Sequence, residues 1–507
     1  MSNEELIVIV GSGFAGLGMG IRLKEAGIPF VILERGDEVG GTWRDNHYPG
    51  AACDVQSHLY SFSFEPNPRW SRMFAEQPEI QAYLVHCADA YGLRPHIRLG
   101  RKATSATFDE RAGQWTIEAT HEGQTETYRG RAFVSGCGAL SRPAIPTLPG
   151  LERFEGERWH SAEWRHDVDL SQKRVAVIGT GASAIQFVPQ LQTQAAHVDL
   201  YQRTPPWILP KPDRAIGLRE QALYERVPAA QWLVRQAIYW QLEPRVTAFA
   251  ISPKVMQVAQ VFAKRHLYQQ VKDLGLRAKL LPDYTIGCKR ILISNDYYPA
   301  LTQPNVSLVT SGVREICERS IVTADGTEHP CDVIVFGTGF HAAEEVAPFP
   351  VRGLDGQSLN DAWRAEGAEA YKGSTVHGFP SFFMIPGPNT GLGHSSMVFM
   401  IETQIAHAMK AIRHMRREKL RYLDVRPEVQ ARYNRALQKR LAKTVWASGC
   451  SSWYQTASGK NTTLWPGFTF EFRLRAARFD PKDYRGAPRV QATRAHRDAA
   501  SAVAPAE

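Results

Sequence analysis

The chain has 507 residues, 43 % of them hydrophobic and 22 % charged, with 60 Lys and Arg against 51 Asp and Glu. This is the profile of a folded globular protein with room for about three domains. It excludes a mostly disordered or collagen-like chain, and no stretch approaches the ~18 uninterrupted apolar residues of a membrane span.

The first residues lack the basic start and long apolar core of a secretory leader. They run directly into Leu6–Val10, an apolar segment of strand character. Gly11, Gly13 and Gly16 follow, then helical composition from Leu17 to Ala26, a stop at Gly27, and a second strand Phe30–Leu33 closing on Glu34. A strand before, a helix after and an acid 23 residues beyond Gly11 are the context that gives a GxGxxG run its meaning. The glycines admit a pyrophosphate to a helix N-terminus, and the acid accepts from ribose hydroxyls. Glu34 would repel a 2′-phosphate, so this first site is expected to hold FAD or NAD.

The pattern recurs. Arg174–Ile178 reads as a strand, Gly179, Gly181 and Ser183 as its turn, a helix runs towards Gln194, and Val198–Gln202 is the next strand. Here Arg203, with Thr204 beside it, stands where the acid would be, which favours a 2′-phosphate and hence NADPH. Two dinucleotide sites in one chain imply electron transfer from NADPH to a flavin.

Residues 215–280 are rich in Ala, Gln, Leu and aromatics and read as a helical insertion. Cys331–Phe336 is a further buried strand, Ser395 to about Leu420 a long helix, and the chain beyond about 485 a disordered tail. The region 405–443 holds twelve basic and three acidic residues, the excess of a solvated helix face; it lacks the interleaved aromatics of a nucleic-acid platform. Seven scattered cysteines show no CxxC spacing, so neither a disulfide framework, a metal site nor a redox-active pair is suggested, and a reducing cytoplasm is expected. No serine has a GxSxG elbow, which argues against a hydrolase built on the serines after His394.

Phe154-Glu-Gly156-Glu-Arg-Trp-His160-Ser-Ala-Glu-Trp164 fits FxGxxxHxxxW at every specified position. With Gly41-Thr42-Trp43, Tyr48-Pro49-Gly50, Asp54, Gly287-Cys-Lys289-Arg290, the Gly387–His394 run and Ser452-Trp453-Tyr454, the chain resembles the Baeyer–Villiger monooxygenases, class B flavin monooxygenases, over about residues 5–470. The resemblance implies an α/β flavoprotein of two Rossmann-like dinucleotide-binding domains with a helical insertion. Residues 1–145 and 375–485 would form the FAD domain, 146–214 and 300–374 the NADP domain, 215–299 the insertion and 486–507 the tail.

The activity it implies is insertion of an oxygen atom beside a ketone carbonyl by an anionic flavin peroxide, using NADPH and O2. Arg290 matches the family's active-site arginine and Asp54 the carboxylate beside it; an anion there needs a fixed cation and little water. Lys289, Arg203 and Thr204 match the 2′-phosphate contacts, and Trp453 matches a residue that reaches NADP+. Asn389 leads into a helix N-terminus that faces the flavin and favours negative charge. Phe154, Gly156, His160 and Trp164 read as an interdomain hinge, with His160 either structural or mechanistic. The alternative is a flavin-containing monooxygenase acting on nitrogen or sulfur, a class that matches the end of the fingerprint at Trp164 less well. The small-molecule ketone, its regiochemistry and the oligomeric state stay open.

Overall fold

The computed structural model describes residues 5–341, 349–450 and 452–488. The first Gly-rich segment opens a parallel sheet in the spatial order Phe382–Met384, Ala132–Ser135, Ile7–Val10, Phe30–Leu33, Ile97–Arg98. Ile7–Val10, Phe30–Leu33 and Ala132–Ser135 are buried at every position, as unbroken apolar runs covered on both faces must be. On one face lie the helices Phe14–Glu25 and Met397–Arg417, so close that a Cβ on Gly18 would stand 2.8 Å from Ile405 Cδ1. The other face packs on the antiparallel strands Lys102–Asp109, Gln114–His121 and Gln124–Gly130 through Trp115, Phe133 and Phe382.

The second Gly-rich segment opens a second parallel sheet, ordered Val306–Val309, His197–Tyr201, Arg174–Ile178, Val333–Phe336, Glu157–His160. The helix Ala184–Gln194 packs on it through Ile185, Phe187 and Val188. Between the halves of this unit the insertion is helical as expected, with Leu218–Arg226, Pro228–Leu242, Met256–Gln270 and Leu274–Leu280.

The structure corrects four expectations. Residues 349–374 pack with the first unit: Val351 pairs with Ala106, and Phe349, Leu359 and Trp363 join the core around Trp115. The fingerprint Phe154–Trp164, expected as a hinge between the units, is itself folded into one of them, with Glu157–His160 as the edge strand of the second sheet. The long helix spans Met397–Arg417, and the basic region continues as a strand, Leu420–Val425, and a second helix, Pro427–Leu441. Residues 486–488 belong to the strand Tyr484–Pro488, which pairs with Leu420–Val425; the rest of the expected tail lies outside the described residues. Much of the basic excess is engaged at home. Lys410 donates to the Ala477 carbonyl, Arg426 to that of Lys482, and Arg440 binds Glu471.

Candidate active site

Both Gly-rich turns are built to bring backbone close to backbone. Gly11 has φ +97°, and a Cβ on Gly16 would stand 1.8 Å from the Gly11 carbonyl oxygen. Gly13 differs: its nearest neighbours are the backbone of Gly40 and Gly41 at 3.7 Å and beyond, so the space over it is open and lined by the Gly41-Thr42 turn. In the second turn Gly179 has φ +112° and crowds the Gly337 carbonyl, whereas Gly181 meets it only at 3.8 Å. Gly11, Gly16 and Gly179 thus close the fold, and Gly13 and Gly181 leave cradles that a Cβ would fill.

Glu34 is buried at 3 % exposure at the first strand end. It accepts from Ser12 N and Oγ, from Gly36 N and from Arg44 Nη1 at 2.6–2.9 Å. Burial alone would raise its pKa; the charge of Arg44 and these bonds outweigh it and hold the carboxyl below its ordinary value.

Arg290 and Asp54, 236 residues apart in sequence, form one ion pair. Arg290 Nε donates to Asp54 Oδ2 at 3.1 Å and Nη2 donates to the same oxygen. The Asp54 charge is the largest influence on the guanidinium and raises its pKa against desolvation. The side chains remain 36 % and 35 % exposed, so the outer face of the pair is open to a ligand. Local pairing fixes each partner. Cys53 N donates to the Ala75 carbonyl, while Leu292–Ile293, just after Arg290, pairs in parallel with Ile208–Leu209.

Lys289 lies in the electrostatic field of Arg203. Burial first, and the charge of Arg203 second, push the Lys289 pKa down, with Asp283 opposing. A bound anion would relieve the repulsion between these two cations, and the Thr204 carbonyl, beside Arg203, accepts from Thr180 Oγ1 at 3.0 Å. Removing Arg203 or Lys289 deletes a charge-assisted bond worth about 1.5–3 kcal/mol. Arg203→Ala and Lys289→Ala are each expected to raise the NADPH Kd by roughly ten- to a hundredfold while leaving the NADH Kd within about twofold. Titration of both nucleotides by flavin-reduction kinetics measures the ratio.

Other expected site residues are engaged differently. Tyr48 OH donates to Gln186 Oε1 at 2.8 Å, and burial pushes its pKa up to about 12. Gln186 Nε2 in turn donates to the Ala52 carbonyl, so this loop docks on the helix after the second Gly-rich turn. Asn389 sits at φ +56° and clamps the Asn461 and Leu464 carbonyls with Nδ2, leaving Oδ1 without a partner. Trp43 Nε1 donates to Tyr60 OH at 3.1 Å. Trp453 is 43 % exposed, on a loop with its ring against Tyr454.

Within the fingerprint, a Cβ on Gly156 would meet the Asp332 carbonyl at 2.3 Å. Trp164 packs on Phe187, the ring that also meets Tyr48. His160 is fully buried; Nδ1 accepts from Ala162 N at 3.1 Å, Nε2 has no partner, and burial lowers its pKa. The fingerprint thus joins the second sheet's edge to the Tyr48 loop of the first unit.

Three further features surround the Asp54–Arg290 pair, only the first of them on a motif visible in the sequence. Tyr454, 2 % exposed, lies in the field of Arg290 and Asp54, and burial raises its pKa to about 12. Cys288 and Cys450 form a disulfide that ties the Arg290 segment to the chain before Trp453, against the expectation of none. A separation of 162 residues leaves no spacing signal for it. From the insertion, Phe249 lies against both Gly287 and Gly393, so it walls the Arg290 segment on one side and the approach to the helix Met397–Arg417 on the other. His394 Nε2, buried there, is 3.7 Å from Glu243 Oε2.

The chain matches, over residues 4–349, the model of a family described as flavin-binding monooxygenase-like. It is 52 % identical over 481 residues to a Baeyer–Villiger monooxygenase of Pseudomonas aeruginosa, covering 94 % of this chain and 90 % of that one. A Baeyer–Villiger monooxygenase of Streptomyces coelicolor is 48 % identical over 94 % of this chain and 92 % of its own. Among solved structures, a closed form of cyclohexanone monooxygenase superposes with a TM-score of 0.86 at 28 % identity, covering 95 % of this chain and 99 % of that one. A complex of OTEMO with FAD and NADP gives 0.85 at 27 % identity over the same shares.

Proposed function

Because the chain belongs to the Baeyer–Villiger monooxygenases, within the flavin-binding monooxygenase-like family, we propose that it uses FAD, NADPH and O2 to insert one oxygen atom beside a ketone carbonyl, giving an ester or lactone. The residues present fit both cofactors. The open cradle over Gly13 and Gly41, with Glu34 at the next strand end, suits the FAD pyrophosphate and ribose; the cradle over Gly181, with Arg203, Thr204 and Lys289, suits NADPH. When bound, FAD takes hydride from NADPH and then activates O2.

The Asp54–Arg290 pair carries the reading. Arg290 presents a permanent, planar cation on the segment between the two dinucleotide sites, where negative charge must be held beside the substrate carbonyl. Asp54 binds the Nε and Nη2 edge, fixes the plane of the fork and leaves Nη1 outside the ion pair, available to an anion. Phe249, Met256 and Tyr454 give the segment an apolar and aromatic surround, and the open outer face of the pair loses its water when cofactor and substrate cover it. Tyr48, Phe187 and Trp164 couple the two nucleotide units, so movement of the NADP unit is felt at Asp54, six residues from Tyr48. A heteroatom oxygenase needs no such cation, and the pair therefore favours ketone oxidation. The site reading also includes a cytoplasmic location and no nucleic-acid partner. Among the described residues no single helix is long and apolar enough to cross a membrane.

The test is a product assay. Purified protein with FAD, NADPH and air meets linear, cyclic and aryl ketones together with a thioether and a tertiary amine. Ester or lactone from at least one ketone, with little peroxide per NADPH consumed, is the expected result. Sulfoxide or N-oxide without any ester would replace the proposal with heteroatom oxygenation.

A further inference from the structure

The helical insertion turns apolar side chains outward. On the helix Pro228–Leu242, Trp232, Leu233 and Trp240 are 58 %, 61 % and 57 % exposed, at the i, i+1, i+8 positions of one stripe about 12 Å long. Trp240 touches Phe470 at the start of the helix Thr469–Ala477, where Leu474, one turn on, is 72 % exposed. On the next helix, Met256–Gln270, Val258, Val261 and Phe262 are 58 %, 66 % and 57 % exposed. The inward faces of both helices are conventional: Gln231, Arg235, Ile238 and Leu242 on one, Met256, Ala263 and Leu267 on the other, are buried. The helices are therefore amphipathic in an unusual sense, with apolar residues on the core side and again on the solvent side. Folding of the monomer does not explain the second stripe, and exposed apolar stripes of this kind mark a contact.

The charges around the stripes select the partner. Between Val227 and Lys272 the only acidic residue is Glu243, which is 1 % exposed and engaged by Thr469. Arg245, Lys254, Arg265 and Lys272 are exposed on the same insertion, and Arg473 is exposed between Phe470 and Leu474. Tryptophan and phenylalanine flanked by Lys and Arg, with exposed carboxylates only at the two ends of the segment, Glu225 and Asp273, is the composition of helices lying in the headgroup region of an anionic bilayer. A second copy of the chain fits less well, since a two-fold contact would set this cationic rim against itself.

We propose that the helical insertion, with the helix Thr469–Ala477, is a membrane-binding face that docks the enzyme peripherally on an anionic lipid surface. The helices lie in the interface with Trp232, Trp240 and Phe262 among the acyl chains and Lys254, Arg265 and Lys272 at the phosphates. Neither helix spans the bilayer. One consequence rests on the ketone-oxidation reading, whereas lipid binding itself does not: Phe249 and Met256, in the same insertion, pack on Gly287 of the Arg290 segment, so the docked element also borders the site.

The experiment is co-sedimentation of the FAD-loaded protein with phosphatidylcholine vesicles, with and without phosphatidylglycerol. Binding is expected only to the anionic vesicles and is expected to fall at least tenfold as salt is raised from about 0.05 to 0.5 M. Trp232→Ser/Trp240→Ser and Val258→Ser/Phe262→Ser change exposed side chains, so both are expected to keep the flavin spectrum and the turnover of a water-soluble ketone. At least one pair is expected to weaken vesicle binding tenfold or more. Arg265→Glu/Lys272→Glu, which removes no apolar packing, is expected to do the same and covers the case of a serine variant that fails to fold. No sedimentation with either vesicle, binding that survives all three variants, or a concentration-dependent dimer in light scattering that the serine variants convert to monomer would overturn the proposal. The last outcome would assign the face to a second copy instead. Loss of ketone oxidation in the parent protein with vesicle binding intact would count against the reaction, not against this surface.

Discussion

Arg290→Ala is expected to lose ketone oxygenation while keeping flavin reduction. Removal of a fixed donor beside developing negative charge costs roughly a hundred- to a thousandfold in turnover. The hydride step is spared because Arg290 is not part of the Arg203–Lys289 anion site or of either glycine cradle. Stopped-flow reduction by NADPH should therefore stay within about threefold of the parent. NADPH consumed under air should appear as peroxide instead of ester. Arg290→Lys keeps the charge but loses the planar fork that Asp54 holds by Nε and Nη2, so it should recover only part of the loss. Asp54→Asn leaves the guanidinium present but less firmly oriented and should fall between parent and Arg290→Ala. Ester formation persisting at parental rate in Arg290→Ala would remove the residue from the chemistry. Slow flavin reduction would instead place it in nucleotide binding.

The readability of this chain follows the range of each contact. The two Gly-rich turns, Glu34 and Arg203 are strand–turn–helix features spaced within some 25 residues, so their identities and offsets are visible in the linear sequence. The Asp54–Arg290 pair has no local signature. It was reached only through family resemblance, and the structure then showed the two side chains in contact. Contacts that neither route covers were missed. The pairing of Val351 with Ala106 joins a two-residue strand to a sheet about 245 positions away, too short to announce itself by alternation. The Tyr48–Gln186 bond and the Cys288–Cys450 link likewise depend on how the units close on each other. The basic region misled in another way. Charge density suggested one solvated helix, but Arg and Lys also serve as donors to backbone carbonyls, as Lys410 and Arg426 do, and their number says nothing about where a helix ends. The outward tryptophans of the insertion left no signal of their own, because apolar content alone does not distinguish the two sides of a helix.

The glycines separate the two nucleotide sites by experiment. Gly16→Ala places a Cβ 1.8 Å from the Gly11 carbonyl oxygen, which is backbone and cannot rotate away. The first turn must open, at a cost of about 1–3 kcal/mol or more, and the protein is expected to purify with less than about a tenth of its FAD and a lower melting temperature. Gly179→Ala combines a φ of +112° with a contact of 2.4 Å to the Gly337 carbonyl, so it distorts the second turn while the first stays intact. That variant is expected to keep its flavin and its reduction by dithionite, but to lose NADPH affinity by at least about tenfold. Gly181→Ala isolates the ligand's own demand. Its Cβ would meet no protein atom nearer than 3.8 Å, so the fold should be untouched and the melting temperature unchanged. If the pyrophosphate of NADPH approaches this backbone, the added methyl group occupies its place and the Kd rises as in Gly179→Ala. If NADPH binding in Gly181→Ala is normal, the nucleotide does not lie on this turn, and the anion site formed by Arg203 and Lys289 must be served by some other phosphate.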